Sequence, residues 1–185
     1  MEDAQILDLY FARSEQAIKE TDLKFGRYCL TIAYNILHNN EDSEECKTYI
    51  KAWNAIPPKR PENFRAYLGK IARNIALNMY EYMHRKKRDV NSTEAILDEL
   101  SECIPDPGSD VEKAAESMII RDSINDFLGT LSADNRKIFV RRYWYASPIE
   151  EIAQEYGFSV SKVKTCLMRT RSKLKKHLES EGIIV

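Results

Sequence analysis

Glycine and proline are scarce in this sequence, six of each in 185 residues, and its apolar runs are short and interrupted. That combination argues against an all-β, collagen-like or low-complexity chain and favours a mostly helical, soluble one. No stretch approaches the roughly 18 apolar residues of a membrane span. The start, Met1-Glu2-Asp3-Ala4-Gln5, lacks the basic-then-apolar pattern of a secretory signal, so a cytoplasmic location with no membrane span is expected.

Cysteine is sparse as well. Cys29, Cys46, Cys103 and Cys166 lie far apart with no C-x-x-C and no His at a zinc-finger spacing. Neither a metal site nor a disulfide framework is expected. Catalytic signatures are missing too: His38, His84 and His177 are isolated, and there is no G-x-x-x-x-G-K-[ST], G-x-S-x-G or H-E-x-x-H. The acidic pairs Glu44-Glu45 and Glu150-Glu151 suit first-turn helix positions better than acid-base work. The chain is therefore expected to be no enzyme and to carry no cofactor.

Net charge is nearly absent, 28 Lys plus Arg against 29 Asp plus Glu, but the charges are segregated along the chain. The length allows one medium domain or two small ones, and 43% hydrophobic residues suffice for a core. Phe25, Tyr28, Cys29, Ile32, Ala33, Ile36 and Leu37 follow the three-and-four spacing of a helix with one buried stripe. An earlier helix near residues 6–18 is expected to pack on it. After Asn39-Asn40, the carboxylates of residues 41–45 suit the first turn of a helix carrying Tyr49, Ile50 and Trp53, which must end before Pro57-Pro58.

Residues 56–62, Ile-Pro-Pro-Lys-Arg-Pro-Glu, form a stiff basic loop, because each Pro fixes φ and restricts its predecessor. A long helix is expected from about Glu62 to Arg88. Its inward stripe is read as Phe64, Tyr67, Leu68, Ile71, Ala72, Ile75, Met79 and Tyr82; Arg65, Lys70, Arg73, Asn74, Asn78 and Arg85 fall wholly or partly off that face. Single strands are held by cationic grooves with aromatic faces, a role open to Tyr67, Tyr80 or Tyr82, although core packing is the commoner fate of each.

Beyond Arg88 the acids dominate: Asp89, Glu94, Asp98, Glu99, Glu102, Asp106, Asp110, Glu112 and Glu116 meet only Lys113. Residues 105–109, Pro-Asp-Pro-Gly-Ser, cannot propagate a helix. An acidic linker is expected, with a short helix near residues 94–100. The last part restarts with helices over residues 111–128 and, capped by Ser132, over 133–144. Ser147-Pro148-Ile149-Glu150 reads as a capping box with Ser at the N-cap and Pro at the first helical position. That helix ends at Gly157, and Ser159 caps a final basic helix over residues 160–179.

Helix, glycine turn, then basic helix is a helix-turn-helix pattern. Ser161, Lys162, Lys164, Thr165, Met168 and Arg169 supply the side-chain types that reach base edges and phosphates. A solvated amphipathic face is the plainer reading of such a run; the preceding capped helix and turn weigh against it.

Two blocks resemble the RNA polymerase sigma factors of the sigma-70 family, in their compact extracytoplasmic-function (ECF) form. Residues 64–78, with Phe64, Tyr67, Leu68 and Ile71-Ala72-Arg73-Asn74, are similar to region 2.3 to 2.4. Leu131-Ser132 to Arg136, Phe139, Arg142-Tyr143, residues 149–153, Gly157-Phe158-Ser159 and residues 163–174 resemble region 4. The resemblance implies an all-α chain of two small helical domains: region 2 over residues 1–88, an acidic flexible linker over 89–110 and region 4 over 111–185. It implies a promoter-specificity subunit whose partners are core RNA polymerase, promoter DNA and an anti-sigma factor. The alternative is a stand-alone helix-turn-helix regulator.

Carried onto this chain, the resemblance places Asn74 at a promoter-base position and the loop of residues 57–62 at the pocket for a flipped base. With the basic face of the helix, the minus-ten set becomes Lys59, Arg60, Arg65, Lys70, Arg73, Asn74 and Asn78. The loop has no aromatic residue, so Lys59 or Arg60 is expected to replace stacking with hydrogen-bond or cation contacts. The minus-thirty-five set is Ser161, Lys162, Lys164, Thr165, Met168, Arg169 and Arg171. Core docking is implied for Asp42, Glu45, Tyr49 and Trp53, on a helix about two residues shorter than in relatives. Two residues are worth roughly 200° of helix rotation, so weaker core binding is expected than with two residues inserted after Cys46.

Overall fold

The computed structural model describes residues 1–44, 48–83, 93–101, 103–104 and 112–183, with the backbone alone at 112–116. Among the described residues there are ten α-helices and no strand, the all-α class expected. The helices gather into two compact units, Met1–Lys87 and Arg88–Val185.

The N-terminal unit contains α1 (Asp3–Phe11), α2 (Gln16–Leu37), α3 (Asn40–Glu44), α4 (Thr48–Ala55) and α5 (Phe64–Met83). One expectation is corrected at its start. The first helix stops at Phe11 instead of running to residue 18, and the second, which carries the Phe25 stripe, begins at Gln16. The cause is a tight reversal with Arg13 at φ 53, where the Ser14 N–H bonds the Leu9 carbonyl and the Arg13 guanidinium donates to the Trp53 carbonyl at 2.7 Å.

Helix α2 buries Phe25, Cys29, Ile32, Ala33 and Ile36 along one stripe and pairs chiefly with α5. Phe64 anchors that pairing, edge-on to Phe25 at 5.6 Å and to Tyr10 at 5.9 Å. Asn63 starts α5, its side-chain oxygen accepting the Ala66 N–H at 2.9 Å. The buried stripe of α5 is Phe64, Leu68, Gly69, Ala72, Ala76 and Leu77, whereas Tyr82, expected inward, is 68% exposed. The helix is rolled toward its smallest residue: Gly69 lies against Tyr28 and Ile32 of α2, and only a missing side chain lets the backbones approach that closely.

The C-terminal unit contains α6 (Thr93–Ser101), α7 (Glu112–Thr130), α8 (Ala133–Tyr143), α9 (Ile149–Tyr156) and α10 (Val160–Ser180). Ser132 caps α8, accepting the Asn135 N–H as expected. Arg136 of α8 donates to the carbonyls of Leu128, Gly129 and Leu131 at 2.7 to 3.0 Å. A cation thus satisfies acceptors that the end of α7 leaves open.

The capping box expected at Ser147 is not formed. Pro148 is the N-cap of α9 and there is no side-chain cap bond. Ser147 is instead consumed by α8: Ala146 takes φ 55, the Ser147 N–H bonds the Arg141 carbonyl, and the Ser147 carbonyl accepts from Arg142 at 3.1 Å. Its side chain, 4% exposed, is packed inside.

Candidate nucleic-acid interface

The turn between α9 and α10 is set by two local devices. Gly157 takes φ 67, a left-handed value that a glycine adopts without a Cβ penalty, and the Phe158 N–H closes the turn on the Ala153 carbonyl at 2.8 Å. Two residues later the Ser159 hydroxyl accepts the Lys162 N–H at 3.2 Å and starts α10. Arg141 locks the first helix of the pair against α8: it is 5% exposed and reaches Glu155 at 2.6 Å and Glu151 at 3.3 Å. The Tyr145 ring lies under its guanidinium.

Val163, Leu167, Thr170, Leu174 and Leu178 form the inward stripe of α10. Of the residues expected to meet the minus-thirty-five duplex, Ser161, Lys162, Lys164, Met168 and Arg169 are exposed and Thr165 is half-buried on the first three turns. They share one face, a composition of hydroxyl, cation and thioether that can bond phosphates and read base edges. Lys162 is held there by Phe158, whose ring centroid lies 3.5 Å from its Nζ. Arg171 does not join this face: it is half-buried and bonds Glu99 and Tyr143.

In the N-terminal unit Lys59, Arg60, Arg65, Lys70, Asn74 and Asn78 are exposed and Arg73 is half-buried, where burial pulls its guanidinium pKa below the ordinary value. Lys70, Asn74 and Asn78 stand four residues apart on α5, one above the other. Two of the loop-side cations are already engaged. Arg60 pairs with Asp8 at 2.7 Å and lies over the Phe11 ring, and Arg65 lies 4.6 Å from the Tyr28 ring centroid. Of the possible stacking platforms, Tyr67 and Tyr80 are half-buried and Tyr82 is open.

The residues expected to dock core polymerase are partly described. Asp42 on α3, with Tyr49 and Trp53 on α4, are half-buried; Glu45 lies outside the described residues, as do Cys46 and Lys47 at the apparent shortening. The Tyr49 hydroxyl is hydrogen-bonded to Asp22, and burial, with that carboxylate beside it, raises its pKa well above the ordinary phenol value. Trp53 carries the Arg13 guanidinium 5.3 Å above its ring.

Sequence reasoning did not assign Arg141, Phe158 or Glu99 a part. Phe158 stood beside the turn glycine, a local clue, whereas Arg141 and Glu99 act through partners 10 to 72 residues away. Among the described residues no group of three or more His, Cys, Asp or Glu is placed to hold a metal. No described helix is long and apolar enough to cross a membrane.

The family model for sigma-70 region 4 matches residues 121–174, which span the second half of α7, all of α8 and α9 and most of α10. The chain is 28% identical over 137 residues to the RNA polymerase sigma-E factor of Streptomyces avermitilis, covering 74% of this chain and 68% of that protein. It is 27% identical over 137 residues to the sigma-E factor of Streptomyces antibioticus, covering 74% of this chain and 67% of that one. Among solved structures it is similar to CnrH in complex with the cytosolic domain of CnrY, at 21% identity and a TM-score of 0.41, over 96% of this chain and 97% of that one. The matched region 4 model falls on the capped helix, left-handed glycine and exposed basic helix described above, so residues 121–174 carry a sigma-70 region 4 domain, and over most of its length the chain is similar to RNA polymerase sigma-E factors.

Proposed function

We propose that this subunit divides promoter recognition between its two units. The N-terminal unit docks on core polymerase through Asp42, Glu45, Tyr49 and Trp53 and captures the opened minus-ten strand with Lys59, Arg60, Arg65, Lys70, Arg73, Asn74 and Asn78. The C-terminal unit reads the minus-thirty-five duplex with Ser161, Lys162, Lys164, Thr165, Met168 and Arg169. Catalysis belongs to the polymerase; the sigma subunit contributes binding energy for exposed bases and duplex. It acts in the cytoplasm, and an anti-sigma partner that covers these surfaces holds it inactive.

The observation that carries the reading is the exposed, mixed-chemistry face on the first three turns of α10, presented by a turn fixed at Gly157 and Ser159. Affinity for DNA without polymerase is expected to be modest and to fall steeply with salt, because phosphate contacts release counterions. The test is a titration against core RNA polymerase at controlled salt, followed by run-off transcription from a pool of promoter fragments. Core binding with selective initiation supports the reading. Sequence-specific duplex binding without core binding would instead favour a stand-alone helix-turn-helix regulator.

A further inference from the structure

Helix α6 lies in the acidic stretch between the two blocks of resemblance, yet it is packed against the C-terminal unit, with Ile96 fully buried and Cys103, two turns on, 2% exposed. Between them on the same side, Glu99 meets three groups. One carboxylate oxygen accepts from Arg142 at 2.5 Å; the other accepts from the Tyr143 hydroxyl and from Arg171, each at 2.9 Å. Arg171 also donates to the Tyr143 oxygen at 2.7 Å.

We infer that α6 is a clamp helix of the C-terminal unit, seated by Glu99 across α8 and α10, and that this seat withdraws Arg171 from the DNA-reading face.

The chemistry favours a seat over a passing surface contact. Arg142 is 3% exposed, and a guanidinium so buried requires a carboxylate partner, which Glu99 supplies. Burial lowers the Arg171 pKa, but the hydrogen bond to the Tyr143 oxygen and the negative charge of Glu99 help outweigh it, and the net shift is upward. The helix geometry agrees: Arg169 and Arg171 are two positions apart, about 200° around α10, so the two side chains cannot share a groove. Arg171 sits next to Thr170 and one turn before Leu174, both at the buried stripe. The acid that looked like one of many linker charges is thus the counterion of two arginines from the helix-turn-helix.

The withdrawal of Arg171 rests on the reading of α10 as the DNA-contacting helix; the clamp does not. Two measurements on the full chain test them separately. Hydrogen exchange of the wild type should show the amides of residues 93–101 protected together, with protection lost in Glu99→Gln and in Arg171→Gln while α8 to α10 stay protected. Exchange of these amides at free-peptide rates in the wild type would overturn the clamp, and that result needs no variant to fold.

The second measurement is the salt dependence of binding to a duplex of arbitrary sequence, about 30 base pairs long, where each lost phosphate contact makes the log-log slope shallower by about 0.9. Arg169→Gln should flatten the slope by that amount and Arg171→Gln should leave it unchanged. An equal flattening in both variants would overturn the withdrawal of Arg171. No change in either would overturn the reading of α10 and the withdrawal with it, leaving the clamp to the exchange data.

Discussion

A Cβ on Gly69 would lie 2.5 Å from the Tyr28 hydroxyl and 3.2 Å from the ring carbon that bears it. The contact joins the two principal helices of the N-terminal unit, and the phenol ring has little freedom to retreat because Arg65 lies over one face. Gly69→Ala gains about 1 kcal/mol of helix propensity but loses about 1 to 3 kcal/mol by overpacking, so the net effect is destabilising. Thermal unfolding should show the N-terminal unit's transition lowered by several degrees, with a smaller drop in a Tyr28→Phe background. A transition raised by Gly69→Ala would mean that α5 has slack to move off α2.

Arg141 and the pair Glu151 and Glu155 predict an asymmetry within the helix-turn-helix. Arg141→Met removes a 6%-exposed charged side chain together with the need to pair it, and the loss is expected to be small. Glu151→Gln with Glu155→Gln leaves the guanidinium buried without a carboxylate. Because the Glu155 side chain is 39% exposed and solvent screens it, the expected loss is about 2 kcal/mol, below the full cost of a stranded buried charge. Chemical unfolding of the three variants checks the order: the double Gln variant should be the least stable. If Arg141→Met is worse, Arg141 contributes through packing on Tyr145 and not through charge.

The C-terminal unit was largely readable because its signals are local. Ser132, Gly157 and Ser159 each mark a helix end by chemistry contained within four residues, and the α10 stripe follows from its spacing alone. What escaped depends on distant partners. Nothing beside Arg13 announces its left-handed turn, which is held by the Trp53 carbonyl 40 residues on. The roll of α5 toward Gly69 requires knowing that Tyr28 lies opposite, and periodicity fixes a stripe's spacing but not its rotation. Ser147 shows a local signal overruled: sequence offered a capping box, and the buried Arg142 took the Ser147 carbonyl instead. Glu99 looked like any linker acid until Arg142 and Arg171 were placed beside it.

Two phenols with raised pKa values give the protein an alkaline limit. Tyr49 is raised well above the ordinary value by burial and then by Asp22; Tyr143 is raised by burial, with Arg171 pulling back and the Glu99 charge adding to the rise. A group whose folded pKa exceeds its unfolded value contributes stability fully below the unfolded value, about 10 for tyrosine, and loses it as pH climbs above that. Near-ultraviolet tyrosinate absorbance should therefore rise in two stages. The later component, smaller by one residue in Tyr49→Phe, should coincide with loss of helical circular dichroism. A single smooth titration with the helices intact would contradict the burial of both hydroxyls.

The short helix pair α3 and α4 bears on core docking in a way that an insertion can test. Helix α4 is fixed in rotation by its own packing, since Thr48, Ala52 and Ile56 are buried and Tyr49 is bonded to Asp22. An insertion after Cys46 therefore acts on the preceding segment, shifting the Asp42 side relative to Tyr49 and Trp53. If docking uses both sides as one surface, the lengthened variant should bind core polymerase more tightly than the natural chain at equal salt, with unchanged thermal stability of the C-terminal unit. Equal affinities in a direct titration would show that Tyr49 and Trp53 contribute without Asp42 in register, and that this subunit docks through α4 as it stands.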